Sequence, residues 1–429
     1  MNPLRWILGA ALFASCSMST FDDKRAAAWS DSNGSVGLDS AEYAIAIAGV
    51  TTDQAGATIA VLGVNPLGLG VVKYNEAGAL EQFGANIPGF DGVVFDPPPM
   101  LLAAPATVPG VGGLVAIGGL GDANEILFYD VGNGEPTRVG GVSGTECGLE
   151  GGNLGARMAF RERGDGELDL VALDGNELVF FRSVFNLAAP DNGCSRCTVP
   201  SNGLGAQDVA VAELRASAPG EEIVLTFDGL FTVFEGDAVV AQEITSCSDG
   251  RQFFPPRGSG NGETDFGARI AVGDGDADDF VDLAFSAPST ERVYVFHEFD
   301  TSNSPAVPQI VTGDVDAISF GKGPMTFMDI DSTDGDELVI GDPQGNPEGV
   351  IGAGQVSIFQ YSDDGGGEFE PRAVIYDSSP EAGQNYGRAL SEVEFVFGED
   401  DSDVLAVGAV NETFTVFQSL DNGTDPRQL

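Results

Sequence analysis

A chain of 429 residues with 66 acidic against 19 basic side chains carries a formal net charge of −47 at neutral pH. So negative a surface repels nucleic acid and anionic lipid headgroups and excludes both as partners; it points instead to acids gathered around cations, to adaptation to a salty medium, or to both. Sixty glycines and 28 phenylalanines, with few helix-favouring runs, argue for many short strands joined by tight turns.

In chain order, Arg5 precedes the apolar run Trp6 to Phe13. The run is too short to be a permanent membrane span and reads as a secretory signal. It ends in Leu12-Phe13-Ala14-Ser15-Cys16, which is similar to the bacterial lipobox, where the cysteine is diacylated and becomes the mature N-terminus. On that reading residues 1–15 are removed, Cys16 is the lipid anchor in the membrane, and residues 16–35 form a polar tether. Ser17 after the cysteine then directs the protein to a bacterial outer membrane. No later stretch is apolar for long enough to cross a bilayer as a helix.

From about residue 36 to residue 420 the chain repeats itself, leaving 421–429 as a tail. The clearest unit is FGARIAVGDGDADDFVDLAFSAPSTERVYVF from Phe266, followed by FGKGPMTFMDIDSTDGDELVIGDP from Phe320 and YGRALSEVEFVFGEDDSDVLAVGAV from Tyr386. Earlier units start at Leu154 and Leu204, and two degenerate ones run through Ile59–Gly63 and Leu114–Gly119. Each alternates apolar and polar residues with period 2 between Gly/Asp turns, which predicts three or four antiparallel strands per unit. Gly155, Gly205, Gly267, Gly321 and Gly387 mark the units at the spacing of propeller blades. Lone sheets of this kind cannot bury both faces, and a closed ring of them can.

The four cysteines beyond Cys16 are Cys147, Cys194, Cys197 and Cys247. In an exported chain an even number suggests two disulfides. Cys194 and Cys197 are expected to pair outward with Cys147 and Cys247 and tie neighbouring repeats together, in a connectivity the spacing leaves open.

The Phe-Gly opening, the acidic turn and the Ala287-Pro288 ending of the second strand resemble the FG-GAP repeats of integrin alpha chains and related bacterial surface proteins. The resemblance covers about Val36 to Ser419. It implies an all-β, seven-bladed β-propeller of FG-GAP/integrin-alpha type, needing no second copy to complete its core and therefore monomeric.

Between the first two strands of the best unit lie Asp274, Asp276 and Asp278, then Asp282. Carboxylates at alternate positions of a curled loop suit a hard cation, and calcium is the expected one, with the carbonyl of Phe280 as a further ligand and Asp282 closing the shell. The same register in the next unit gives Asp329, Asp331, Thr333 and Glu337 as a weaker site. The glycine usual after the third ligand is replaced by Asp279 and Asp334. An EF-hand is excluded because its twelfth position would be Phe285 or Ile340.

One histidine, His297, ends a strand and is given a structural or exposed role. No nucleophile elbow, P-loop or dinucleotide fingerprint is present. Arg163-Gly164-Asp165 and Asp300-Thr301-Ser302-Asn303-Ser304 match short adhesion motifs and are read as coincidences. The expected function is non-enzymatic: a calcium-binding module on the cell surface, holding a protein or glycan ligand or acting as a scaffold. The runner-up is a carboxylate-dependent hydrolase or lyase at the mouth of the propeller channel, recognisable by convergent polar side chains there.

Overall fold

Runs such as Ile223-Val224-Leu225 and Val293-Tyr294-Val295-Phe296 combine β-branched and aromatic side chains that favour the pleated backbone, and Gly/Asp turns end each run before it can lengthen. The result is all-β. The computed structural model describes residues 42–428 except for segments between and beside strands: 51–56, 65–66, 75–79, 91–92, 94–98, 106–112, 133–134, 150–151, 163–166, 185–193, 200–204, 215–220, 228, 235–249, 254–264, 298, 300–306, 331–334, 363–366, 378, 394–403, 410–413 and 419–426.

Among the described residues there are seven four-stranded antiparallel sheets, each a meander of four consecutive strands. They span residues 42–86, 100–143, 158–198, 206–253, 270–312, 325–375 and 389–428. In the fifth sheet, Ile270–Gly273 pairs with Asp282–Ala287 so that Gly273 faces Asp282, and Leu283 in turn faces Phe296 of the third strand. The second strand of a sheet is the most enclosed. Leu168–Asp174, Glu222–Phe227, Asp282–Ala287 and Glu337–Asp342 are buried at every residue. Such strands are covered on both faces, and in the last three an apolar stretch follows a leading acid, Glu222, Asp282 or Glu337.

The core is a series of apolar layers, each between two successive sheets. Between the fourth and fifth sheets it is aromatic. Phe231 stacks on Phe285 at 4.4 Å between ring centroids and on Phe253 at 5.0 Å. Phe266, Phe296 and Phe299 complete the cluster. Each ring fully withdrawn from water contributes about 1.5–3 kcal/mol.

The innermost strand of each sheet packs against that of the next, and Glu42–Val50 of the first packs against Ala389–Val393 of the seventh. The chain is therefore a closed β-propeller. At the closing contact the Gly49 amide donates to Ser391 Oγ at 2.7 Å, and a Cβ on Gly49 would collide with the Glu392 carbonyl. Among the described residues no strand is exchanged there, since the first and seventh sheets each contain four consecutive strands. Cys147 and Cys194 form a disulfide with Cα atoms 5.7 Å apart, and it joins the outer edges of the second and third sheets. The expectation that cysteines bridge neighbouring repeats is met by this pair. Cys197 is also disulfide-bonded, while Cys247 lies outside the described residues. So do Cys16, the signal and the tether.

Candidate functional site

Two clusters of chemically active side chains lie at opposite ends of the innermost strands. The first follows the end of Ile270–Gly273. There the loop doubles back through Ala277 (φ 58°) and Asp279 (φ 67°), both left-handed. Asp279 thus stands in the left-handed conformation that glycine adopts most readily; aspartate is among the residues that tolerate it.

This turn brings carboxylate oxygens of Asp274, Asp276 and Asp278 within 4.8 Å of one another. Asp274 accepts the amides of Asp278 at 3.1 Å and Asp279 at 3.0 Å, and Asp278 Oδ1 accepts that of Phe280 at 2.9 Å. Asp282, fully buried, accepts the Gly275 amide at 3.2 Å. Burial, followed by the charges of Asp282 and Asp278, pushes the Asp276 carboxyl up to about 6. Asp276 Oδ1 is buried and has no hydrogen-bond partner. Two like charges 4 Å apart repel by about 4 kcal/mol at an effective dielectric of 20. A divalent cation would relieve that repulsion; the all-oxygen trio Asp274, Asp276 and Asp278 suits calcium, whereas Asp282 groups with Asp276 and His297 and not with the whole trio.

The sequence reading missed His297 as part of this cluster. Its Nδ1 lies 3.3 Å from Asp282 Oδ2 and 3.8 Å from Asp276 Oδ2, and its ring stacks on Phe369 of the sixth sheet at 5.6 Å. Burial alone would lower its pKa; the hydrogen bond to Asp282, that carboxylate's charge, Gln309 and Asp276 outweigh it and raise the value.

Of the second expected set, Asp331 and Thr333 lie outside the described residues. Glu337 is fully buried and accepts the Ile330 amide at 2.9 Å. Glu222 does the same for Leu214 in the fourth sheet at 2.8 Å. An acid at the head of the second strand therefore pins its own loop in three sheets, a structural duty that the metal-ligand reading of Asp282 and Glu337 did not anticipate. The loops of the fifth and sixth sheets are tied together: Asp274 donates its amide to Asp336 Oδ2 at 3.0 Å, and the Asp336 amide donates to the Asp274 carbonyl at 2.9 Å. The two adhesion-like strings at 163–165 and 300–304 lie outside the described residues.

The second cluster surrounds the channel mouth, a cavity of about 660 Å³. Arg157, Arg269, Lys322, Arg388 and Asp208 line it. Asp208 is the one carboxylate among the described lining residues, and it is spoken for. Its Oδ1 accepts the Val209 amide at 3.0 Å and lies 3.5 Å from Arg157 Nε, and its Oδ2 accepts the Ile270 amide at 3.1 Å. Polar side chains do converge here, as the hydrolase reading required, but the paired carboxylates that reading needs are not among those described.

No protein-family profile matches this chain. No curated protein sequence matches it either. Among solved structures, a chain of the crystal structure of the mitotic checkpoint complex is similar over 88% of this chain and 88% of its own length, with a TM-score of 0.51 at 10% identity. A chain from the crystal structure of BBS1N in complex with ARL6DN, soaked with lead, is similar over 89% of this chain and 93% of its own, with a TM-score of 0.49 at 12% identity. The first likeness carries the fold alone, over nearly the whole ring; the second carries no argument.

Proposed function

We propose that this protein is a calcium-binding, seven-bladed β-propeller of FG-GAP kind, anchored to the cell envelope through Cys16, that holds a protein or glycan ligand or serves as a scaffold. The observation that carries the metal reading is the convergence of Asp274, Asp276 and Asp278, of which Asp276 also approaches buried Asp282 and keeps a buried oxygen without a hydrogen-bond partner. Calcium at this loop would be structural: it would neutralise the carboxylates, fix the left-handed turn, and through Asp336 hold the adjoining loop of the sixth sheet. The binding role is supported by the closure of the ring within one chain and by the fold-level likeness to a chain of a protein complex.

The test is a thermal melt with calcium and again with EDTA. At free calcium 100 times the dissociation constant, binding stabilises the fold by about 2.7 kcal/mol. The melting temperature should rise with calcium, and Asp276→Ala should remove most of the rise. An identical melt in EDTA and calcium would end the metal reading and leave the propeller standing.

A further inference from the structure

We propose that His297, Asp276 and Asp282 form a second cation site beside the acidic loop, one that takes a nitrogen-accepting divalent ion of the zinc class in place of calcium.

The neighbours of the histidine ring settle which of its nitrogens carries hydrogen. Gln309 pairs with the backbone of Phe369, its Nε2 donating to the Phe369 carbonyl at 2.8 Å and its Oε1 accepting the Phe369 amide at 2.7 Å. A backbone amide only donates and a carbonyl only accepts, so the two ends of the Gln309 side chain are distinguished. The same Oε1 lies 3.5 Å from His297 Nε2, and Nε2 is therefore the ring's donor. In the neutral ring Nδ1 then holds a lone pair. That lone pair faces Asp282 Oδ2 at 3.3 Å and Asp276 Oδ2 at 3.8 Å. A lone pair set against two carboxylates calls for a positive centre between them, either a proton or a metal ion.

The distances favour the metal. A charge-assisted N–H···O bond closes to about 2.7–2.9 Å. Neither carboxylate comes so near. Donors held about 2.0–2.2 Å from a tetrahedral zinc ion stand roughly 3.3–3.6 Å from one another. The separations from Nδ1 are close to that spacing, and donor atoms of all three residues lie within 4.8 Å of one another. Asp276 also keeps Oδ1 buried without a hydrogen-bond partner, a desolvation cost that a bound cation offsets.

The donor set defines the class of ion. Calcium takes oxygen ligands, whereas imidazole nitrogen mixed with carboxylate suits zinc. The outer contacts are those that orient zinc ligands elsewhere: Gln309 at the far ring nitrogen, and the Gly275 amide donating to Asp282 Oδ2 at 3.2 Å. Phe369 lies within 11° of parallel to the imidazole and fixes its plane. Hairpin register does the rest, since pairing Leu283 with Phe296 sets Asp282 beside His297. The His297 side chain is 23% exposed, which gives an ion a route from solvent. The site does not depend on calcium, although Asp276 serves both sets.

The experiment starts from the full chain stripped of metal by EDTA and then freed of EDTA. Calorimetric titration with zinc chloride should show binding, and cobalt chloride should give the intense visible absorption of a tetrahedral ion; cobalt on scattered surface carboxylates is octahedral and pale. His297→Gln should weaken zinc binding roughly a hundredfold and remove the cobalt band, while the melting temperature still rises with calcium. Asp278→Asn should lose most of the calcium rise and keep the zinc titration, so failure of one reading is told apart from failure of the other. Zinc binding that His297→Gln leaves untouched would be adventitious binding to the acidic surface and overturns the proposal. So does a wild-type chain that gives no tetrahedral cobalt band.

Discussion

Glu221 shows at one residue how this acidic chain manages its carboxyls. It accepts the Glu162 amide at 2.6 Å, while its carbonyl accepts Arg161 Nε at 3.0 Å. Burial, with smaller repulsions from Glu162 and Glu213, pushes its carboxyl up to about 7 from the usual 4.5. The folded state therefore holds this proton more tightly than the unfolded one. The stability it contributes is fully present below pH 4.5 and is lost as pH rises through 7. Glu221→Gln should flatten part of the fall in melting temperature between pH 5 and pH 8; an unchanged slope would show that this carboxyl titrates normally. Burial of this sort was not legible in the sequence, where Glu221 is one acid among 66. His297 was more accessible. The Asp274–Asp278 alternation led straight to the clustered carboxylates, and pairing the next two strands from Leu283 against Phe296 sets His297 opposite Asp282. The hairpin register, and not any local motif, held that information.

At the scale of the element, the marker glycines serve two needs at once. Gly267 has φ 82°, and a Cβ there would approach Thr226 of the preceding sheet to 2.6 Å. Thr226 Oγ1 also donates to the Gly267 carbonyl at 2.6 Å, so the marker is the joint between two sheets. Gly175 has φ 57° with open space around it. Gly267→Ala should destabilise by roughly 2–4 kcal/mol, combining left-handed strain with overpacking, and Gly175→Ala by about 1 kcal/mol from strain alone. Urea midpoints compare them, and equal shifts would refute the packing half of the argument. The glycines were visible as a period. That four units place a basic residue one or two positions later at the channel mouth was not, because one sequence cannot show where successive units converge.

For the whole molecule, the sequence conveyed the all-β ring because alternating strands, acidic turns and markers recur together. The first two units kept strand alternation but lost their markers, and only the packing of Glu42–Val50 against Ala389–Val393 places them in the circle. The Cys147–Cys194 bridge clamps the second sheet to the third across 47 residues of chain. Replacing both cysteines by serine should cost roughly 2–4 kcal/mol in chemical denaturation, and a loss near zero would mean the apolar layer between those sheets suffices. The opposite side of the ring is built differently. Where the first and seventh sheets meet, each is already complete, and they touch through side chains and a glycine amide. A ring sealed in this way behaves as a clasp more than a weld: the two sheets meet without sharing a strand, so the interface can part and close again without any strand having to find a new partner.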